Sequence, residues 1–242
     1  MMMNFKSIAV LSLSLLALKS FSQIKEGKII FERKTNLYKK FKEDRDIENW
    51  IKPEDKNKVD VFELYFNDSL AVFKPQESEL KEQMSWATSK NTSYQNLKKR
   101  DLFIIKSIWG EKLYVTDTLR KRAWKITDSK RNIGGYSCRK AIWQADDSTK
   151  IYAWYAEEIE VSSGPESYGG LPGMILGLAS EDGGIIYFAK SVEQIKPSED
   201  VLRPVKGKNK IYTSQELRTK LEKDFGKEKW GKAMIKNVFG YW

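Results

Sequence analysis

The residues of this 242-residue chain that could do chemistry begin with a single cysteine. Cys138 is followed by Arg139 and Lys140, whose positive charges would favour the reactive thiolate form. On an alternating strand, however, Cys138 shares a face with Tyr136 while Arg139 takes the opposite face, which favours a buried thiol that packs as a small hydrophobe. Cys138 stays the one candidate for a reactive thiol. Because burial is favoured, we predict that a thiol reagent labels it slowly in the native protein.

A group of acids is the second candidate, because two carboxylates are the minimum for glycoside hydrolysis. Glu157, Glu158, Glu160 and Glu166 lie within ten positions of one another, yet strand alternation separates Glu157 from the next two. The sequence contains no histidine, which excludes Ser-His-Asp and Cys-His catalysis and the HExxH zinc site. We predict no catalytic residue, no metal site and no cofactor, and we keep a hydrolase-type enzyme using carboxylates as an alternative.

The element that positions these acids is a glycine- and proline-rich turn between two predicted strands. Pro172 and Gly173 suit the second and third positions of a type II turn, which requires a positive φ at Gly173. We predict a rigid corner feeding a buried strand, with a backbone-lined binding site as the alternative. The binding candidates are the turn and the tyrosines flanking it, which we expect at the surface: Tyr155, Tyr168, Gly169, Gly170, Leu171, Pro172 and Gly173.

The run Gly170-Leu171-Pro172-Gly173-Met174-Ile175, preceded by AWYAEEIEVSSGP and by GGYSCRKA, resembles the GLPGLI family, which takes its name from this motif. The resemblance extends over 133–208, including PVKGK at 204–208, and is loose elsewhere. Met174 stands where the family name has leucine, a volume-conserving exchange. The resemblance implies an exported protein of Gram-negative bacteria that is rich in antiparallel strands, and it brings no catalytic residues or substrate.

The first 22 residues have the parts of a secretory signal peptide. Lys6 precedes an eleven-residue apolar run at 8–18, which is too short to span a bilayer comfortably, and Ser20 and Ser22 suit a cut before Gln23. We expect residues 1–22 to be removed, 23–242 to form a single strand-rich domain without a transmembrane span, and the product to reside in the periplasm or on the periplasmic face of the outer membrane.

Turn signals between alternating apolar runs predict three hairpins, around 67–69, 146–148 and 181–184. We expect 77–100 to be a mobile loop or a helix, and Leu217 and Leu221 to lie on one face of a helix beginning near Ser214. Together these patterns predict an α+β fold, mainly β, in which a C-terminal helix packs on a curved antiparallel meander sheet.

The formal net charge of +10 comes from scattered basic groups such as Arg120-Lys121-Arg122. No nucleic-acid-binding motif accompanies them. They suit solvated strand edges, with attraction to anionic lipid headgroups or an acidic partner as the alternative. We predict a non-enzymatic binding or accessory module that contacts an envelope protein, or alternatively a carrier that shelters an apolar or peptide ligand on a concave apolar sheet.

Overall fold

The structure is a computed structural model, and it describes residues 23–77, 83–108, 110–205 and 209–240. The predicted signal peptide therefore lies outside the described residues. The described residues form twelve strands: β1 (Gly27–Asn36), β2 (Asn57–Phe66), β3 (Leu70–Pro75), β4 (Thr92–Asn96), β5 (Asp101–Ile108), β6 (Glu111–Thr118), β7 (Lys125–Ile133), β8 (Tyr136–Gln144), β9 (Lys150–Ala156), β10 (Met174–Ser180), β11 (Ile185–Glu193) and β12 (Ile211–Thr213). The helices are α1 (Leu37–Lys40), α2 (Arg45–Trp50), α3 (Glu199–Leu202), α4 (Ser214–Phe225) and α5 (Lys229–Val238), with short 3-10 turns at Pro53–Asp55, Ser85–Ala87 and Pro165–Ser167.

All twelve strands belong to one sheet in the order β12-β6-β5-β4-β3-β2-β1-β11-β10-β9-β8-β7. Strands β1 to β6 form one antiparallel run and β7 to β11 form another, and the two runs are joined by antiparallel pairing of β1 with β11. At one edge β12 pairs with β6 in parallel. The predicted antiparallel meander is therefore wrong: the sheet is mixed, because the chain returns after β11 to add β12 alongside β6.

The three predicted hairpins are present, since turn chemistry and alternation are local signals. In β1, Ile29 and Phe31 are buried while their neighbours are half-buried, as a period of two requires. At the β2–β3 turn the Asn67 side chain accepts hydrogen bonds from the amides of Ser69 and Leu70. The expectation of a loop or helix over 77–100 is wrong for Thr92–Asn96, which forms β4 inside the sheet.

The sheet curls around a buried core, and one residue shows how strongly. Ser163, in the connection between β9 and β10, accepts a hydrogen bond from the Ile175 amide of β10. Its hydroxyl also donates to Gln95 Oε1 of β4, at 3.2 Å. Strands β10 and β4 are five positions apart, about 24 Å along a flat sheet with 4.8 Å spacing. A single residue can touch both only because the sheet bends around it.

Helices α4 and α5 pack at the β6 end of the sheet. Leu217, Leu221 and Ile235 form a separate buried cluster with Ile108 and Val115. Helix α4 begins at a capping box, in which the side chains of Thr213 and Glu216 each accept a hydrogen bond from the other residue's backbone amide. Among the described residues no helix is both long and apolar enough to cross a membrane.

We predict that Phe73→Ala lowers the free energy of unfolding by about 3–5 kcal/mol, because it opens a cavity in the main core. The Phe73 ring is fully buried and stacks on Phe62, with ring centroids 4.8 Å apart. Urea denaturation would measure the loss. Trp50, whose residue is 81% exposed, provides the control: Trp50→Ala should change stability by less than about 0.5 kcal/mol. Equal effects of the two substitutions would contradict this core assignment.

Candidate functional site

The connection between β9 and β10, residues 157–173, lies inside the curled sheet and is called here the motif loop. Ile159, Tyr168 and Leu171 of this loop belong to the main hydrophobic core. The Ile159 carbonyl accepts from the Met174 amide, and the Gly170 amide donates to Ser162 Oγ at 2.8 Å. The loop thus occupies the concave face that an apolar ligand was expected to fill.

The corner at Pro172 differs in detail from the expected type II turn. The Gly173 amide donates to the Leu171 carbonyl, so the bond spans three residues instead of four. Gly173 does have a positive φ, 148°, and a Cβ there would lie 2.2 Å from the Ala156 carbonyl oxygen. Glycine is required at this position because the loop passes directly over the end of β9.

A buried ion network ties the motif loop to the sheet. Arg33, on β1, donates to Asp60 Oδ2 of β2 at 2.7 Å, and its other terminal nitrogen lies 3.7 Å from Glu166 Oε1 of the loop. The side chains of Arg33, Asp60 and Glu166 are 6%, 0% and 8% exposed. Tyr187, on β11, donates to Glu166 at 2.8 Å. One guanidinium therefore connects three parts of the fold.

The surroundings of the two acids shift their pKa values in opposite directions. Burial alone would raise the pKa of Asp60, but Arg33, Lys58 and Thr88 outweigh burial and lower that pKa to about 2. Burial raises the pKa of Glu166, and the Arg33 charge and the Tyr187 hydroxyl only partly oppose the rise. Arg33 stands between these two carboxylates, so the space that a substrate would need between them is filled by a side chain.

The structure places the remaining candidate residues mostly inside. Tyr155 and Tyr168 are fully buried, so the expectation of two surface tyrosines is wrong: both rings pack in the main core. Leu171 and Gly173 are buried as well, whereas Gly170 and Pro172 are exposed and Gly169 is half-exposed. Cys138 is fully buried, and burial raises the pKa of its thiol to about 12, which opposes the thiolate form.

The connection between β6 and β7 crosses from near one edge of the sheet to the other and is fastened to the motif loop. Trp124 Nε1 donates to the Gly169 carbonyl at 3.0 Å. The Arg122 guanidinium lies over the Tyr168 ring, 3.9 Å from its centroid, and the Arg120 guanidinium lies 5.1 Å from the centroid of Trp143. Aromatic faces attract cations in this way, so the crossing segment is held by its own arginines.

Between this crossing segment, the end of β4 and the motif loop lies a groove of about 700 Å³. Ser162, Ser167, Gly169 and Gly170 of the motif loop form one of its walls. The feature we call the basic groove is defined by six cationic side chains that line it: Lys25, Lys98, Arg100, Arg120, Lys121 and Arg122.

A second cavity, of about 610 Å³, borders the ion network at Arg33 and Glu166. Lys106 and Thr35 also line it, and the Thr35 hydroxyl is buried without a hydrogen-bond partner among the described residues. Both cavities are thus bordered by charged and hydroxyl groups. In neither cavity do apolar side chains form most of the lining, as the predicted lipid-type carrier would need.

Sequence reasoning missed the ion network and the groove. A signal for Arg33 was present, since it continues the alternation of Ile29 and Phe31 and so falls on the buried face of β1. No local pattern connected Arg120 and Arg122 with the motif, because 45 or more positions separate the crossing segment from Gly169 in sequence. Their proximity follows from the long-range course of the chain between β6 and β7.

Residues 143–177 match a family model described as a protein of unknown function, Porph_ging. The matched stretch runs from the end of β8 through the motif loop into β10. It contains the motif that carries the resemblance to the GLPGLI family and is compatible with that family. No curated protein matches the chain.

Solved structures of similar fold include PNGF-II in two crystal forms. In the P21 form the TM-score is 0.53 at 18% identity, over 78% of this chain and 31% of that one. In the C2 form the TM-score is 0.55 at 18% identity, over 81% of this chain and 32% of that one. The chain therefore spans about a third of the length of PNGF-II, and the likeness concerns the fold alone. An uncharacterized conserved protein from Thermus thermophilus aligns with a TM-score of 0.41 at 6% identity, over 77% of this chain and 90% of that one.

We predict that Gly173→Ala lowers the free energy of unfolding by about 3 kcal/mol or more, because the new Cβ meets the β9 backbone. Gly183→Ala is the matched control: Gly183 also has a positive φ, 68°, but a Cβ there meets nothing within 4 Å. The control should cost only the left-handed backbone, about 1–2 kcal/mol. Thermal and urea denaturation measure both, and similar losses would contradict the close passage of the motif loop over β9.

Asp60 predicts a specific loss of stability in acid. Because its pKa falls from 3.8 to about 2 on folding, the ionised side chain stabilises the fold above pH 4, and this contribution disappears as the pH falls towards 2. Unfolding free energies of Asp60→Asn, although lower at neutral pH, should therefore fall less steeply between pH 4 and pH 2 than those of the unchanged protein. Asp128→Asn, at an exposed site on β7, should keep the original slope; an unchanged slope in Asp60→Asn would contradict the network.

Proposed function

We propose that this protein is a non-enzymatic binding or accessory module, exported to the cell envelope, and that the basic groove is its contact surface. A module of this kind needs a recognition surface with a fixed shape on a rigid scaffold. The motif loop provides such a wall, since it is held by core packing and by Arg33 from the middle of the sheet. The family match covers this loop and describes a family of unknown function.

The observation that carries the proposal is backbone strain at the groove. Among the described residues, four that are not glycine have a positive φ: Met84, Arg100, Glu166 and Ser167. Arg100 and Ser167 both line the groove, and Glu166 precedes Ser167 in the motif loop. Each such conformation costs on the order of 1–3 kcal/mol and tends to occur at functional sites. Strain at two residues from separate segments that line one groove supports a recognition role for it.

Export is supported by the signal-peptide pattern of residues 1–22, and the residues that follow the predicted cut lie beside the motif loop. Ile24 forms a parallel bridge with Ile159 of the motif loop, through hydrogen bonds to Glu158 and Glu160. Lys25 pairs with Glu160 at 3.3 Å beside the groove. A cut before Gln23 would therefore leave a new amino terminus close to the proposed contact surface.

The enzyme alternative receives less support from the geometry. Glu157 and Glu160 are exposed, Glu158 is half-exposed, and Glu166 alone of the four is inside, where it faces Arg33. Cys138 is buried with a raised thiol pKa. These groups do not converge on a shared accessible space, as a pair of catalytic carboxylates or an activated nucleophile must.

The proposal is tested by export followed by crosslinking from the groove. The full chain, expressed in a Gram-negative host, should be recovered from the envelope fraction with a mass that begins at Gln23, whereas a variant lacking residues 1–22 should stay in the cytoplasm. A photoreactive residue placed at exposed Lys121 should then yield a reproducible crosslink to an envelope protein in the host of origin. Cytoplasmic retention of the full chain would contradict export.

The matched control places the same photoreactive residue at Lys223 on α4, which is also exposed but does not line the groove. We expect no such crosslink from Lys223, because a specific contact surface excludes remote positions. Identical crosslinks from both positions, or none from Lys121, would contradict the assignment of the groove as the contact surface.

A further inference from the structure

The charges that line the basic groove do not balance. Two of its cations pair with the two acids of the lining, Lys25 with Glu160 and Lys98 with Asp68. The other four cations, namely Arg100, Arg120, Lys121 and Arg122, have no acidic partner among the described residues. Four like charges around one groove produce a positive potential that attracts an anionic group.

Two buried donors beside the groove also lack an acceptor. Gln95 Nε2 and Arg122 Nε have no hydrogen-bond partner within the described part of the chain, although both residues line the groove. A buried donor without an acceptor costs on the order of 1–3 kcal/mol. Both groups only donate hydrogen bonds, and both nitrogens are shielded from solvent, so an acceptor in the groove reaches them only if the lining shifts.

The crossing segment places two of the arginines over one ring, with the guanidinium groups of Arg120 and Arg122 at 5.1 Å and 5.3 Å from the centroid of Trp143. Burial lowers the pKa of the Arg122 guanidinium; Tyr168 opposes this shift and the Arg120 charge adds to it. Arg122 is held beside Arg120 by its stacking on Tyr168, 3.9 Å from the ring centroid, and by a long hydrogen bond of 3.5 Å to the Arg120 carbonyl. A carboxylate placed between them would relieve the repulsion and could be bound in bidentate fashion.

The groove also presents apolar side chains, Leu97, Leu119 and Val161, between the charged ones. An extended peptide offers both matching features at once: carboxylates for the arginines and apolar side chains for these contacts. We infer that the basic groove binds an acidic, partly apolar peptide segment of a partner protein. This inference rests on the proposed function and names the chemistry of its partner.

The test measures fluorescence anisotropy of a labelled peptide of alternating Glu and Leu with the mature protein, against a peptide in which Gln replaces Glu. We expect saturable binding of the Glu peptide that weakens as salt is raised, and binding of the Gln peptide weaker by about tenfold or more. The double variant Arg120→Gln/Lys121→Gln, at two exposed positions, should lose about tenfold in affinity for the Glu peptide. The single variant Arg100→Gln should lose affinity in the same direction.

The matched control is Lys223→Gln/Lys227→Gln, which removes the same charge from exposed positions on and just after α4. It should bind the Glu peptide within about twofold of the unchanged protein, because only general attraction is altered. Equal losses in the two double variants would overturn the inference, as would equal binding of the Glu and Gln peptides. Phosphatidylglycerol vesicles and dextran sulfate are tested as alternative ligands. If either binds through the groove while the Glu peptide does not bind, the inference is also overturned.

The peptide result and the crosslinking result fail separately. If Lys121 crosslinks to an envelope protein but the Glu peptide does not bind, the contact surface stands and the acidic-peptide chemistry is wrong. If the peptide binds through the groove but the full chain is not exported, the ligand chemistry stands and the envelope role is wrong.

Discussion

The buried guanidinium of Arg33 is the interaction on which the arrangement depends. It sits on the central strand β1, contacts Asp60 on β2 and faces Glu166 in the motif loop. Replacing a buried ion pair by apolar residues is often neutral for stability, but leaving one member unpaired costs about 3–5 kcal/mol. The network therefore specifies where the motif loop lies more than it adds to net stability. The motif loop forms one wall of the basic groove, so the place of that wall depends on the network.

The same loop explains why the protein does not present the open apolar bowl that its strand pattern predicts. Ile159, Tyr168 and Leu171 fill the concave side, so the surface left for recognition is the outer rim of the loop. There the backbone of Gly169 and Gly170 lines the same groove as the arginines of the crossing segment, and Trp124 of that segment donates to the Gly169 carbonyl. The glycine-rich motif thus supplies backbone to the groove, and a distant part of the sequence supplies the basic side chains.

Local features of the fold could be predicted from the sequence, and long-range ones could not. The hairpin turns at Asn67 and Asp146 and the helix carrying Leu217 follow from turn chemistry and periodicity, which operate over a few residues. The pairing of β1 with β11 and the parallel addition of β12 to β6 join segments more than 90 positions apart, and no local pattern encodes them. The site mixes both cases: the motif was visible in the sequence, whereas its basic partners came from the topology.

Amide hydrogen exchange across the motif loop of the unchanged protein tests the central claim most directly. The motif loop is hydrogen-bonded to the start of β10. If the loop is an anchored wall of the groove, the amides of Ile159, Gly170 and Gly173 should exchange nearly as slowly as those of β10. If these amides exchange as fast as those of the exposed turn at 146–148, the loop opens readily and does not form a fixed wall. That result would contradict both the anchoring by Arg33 and the groove built on it.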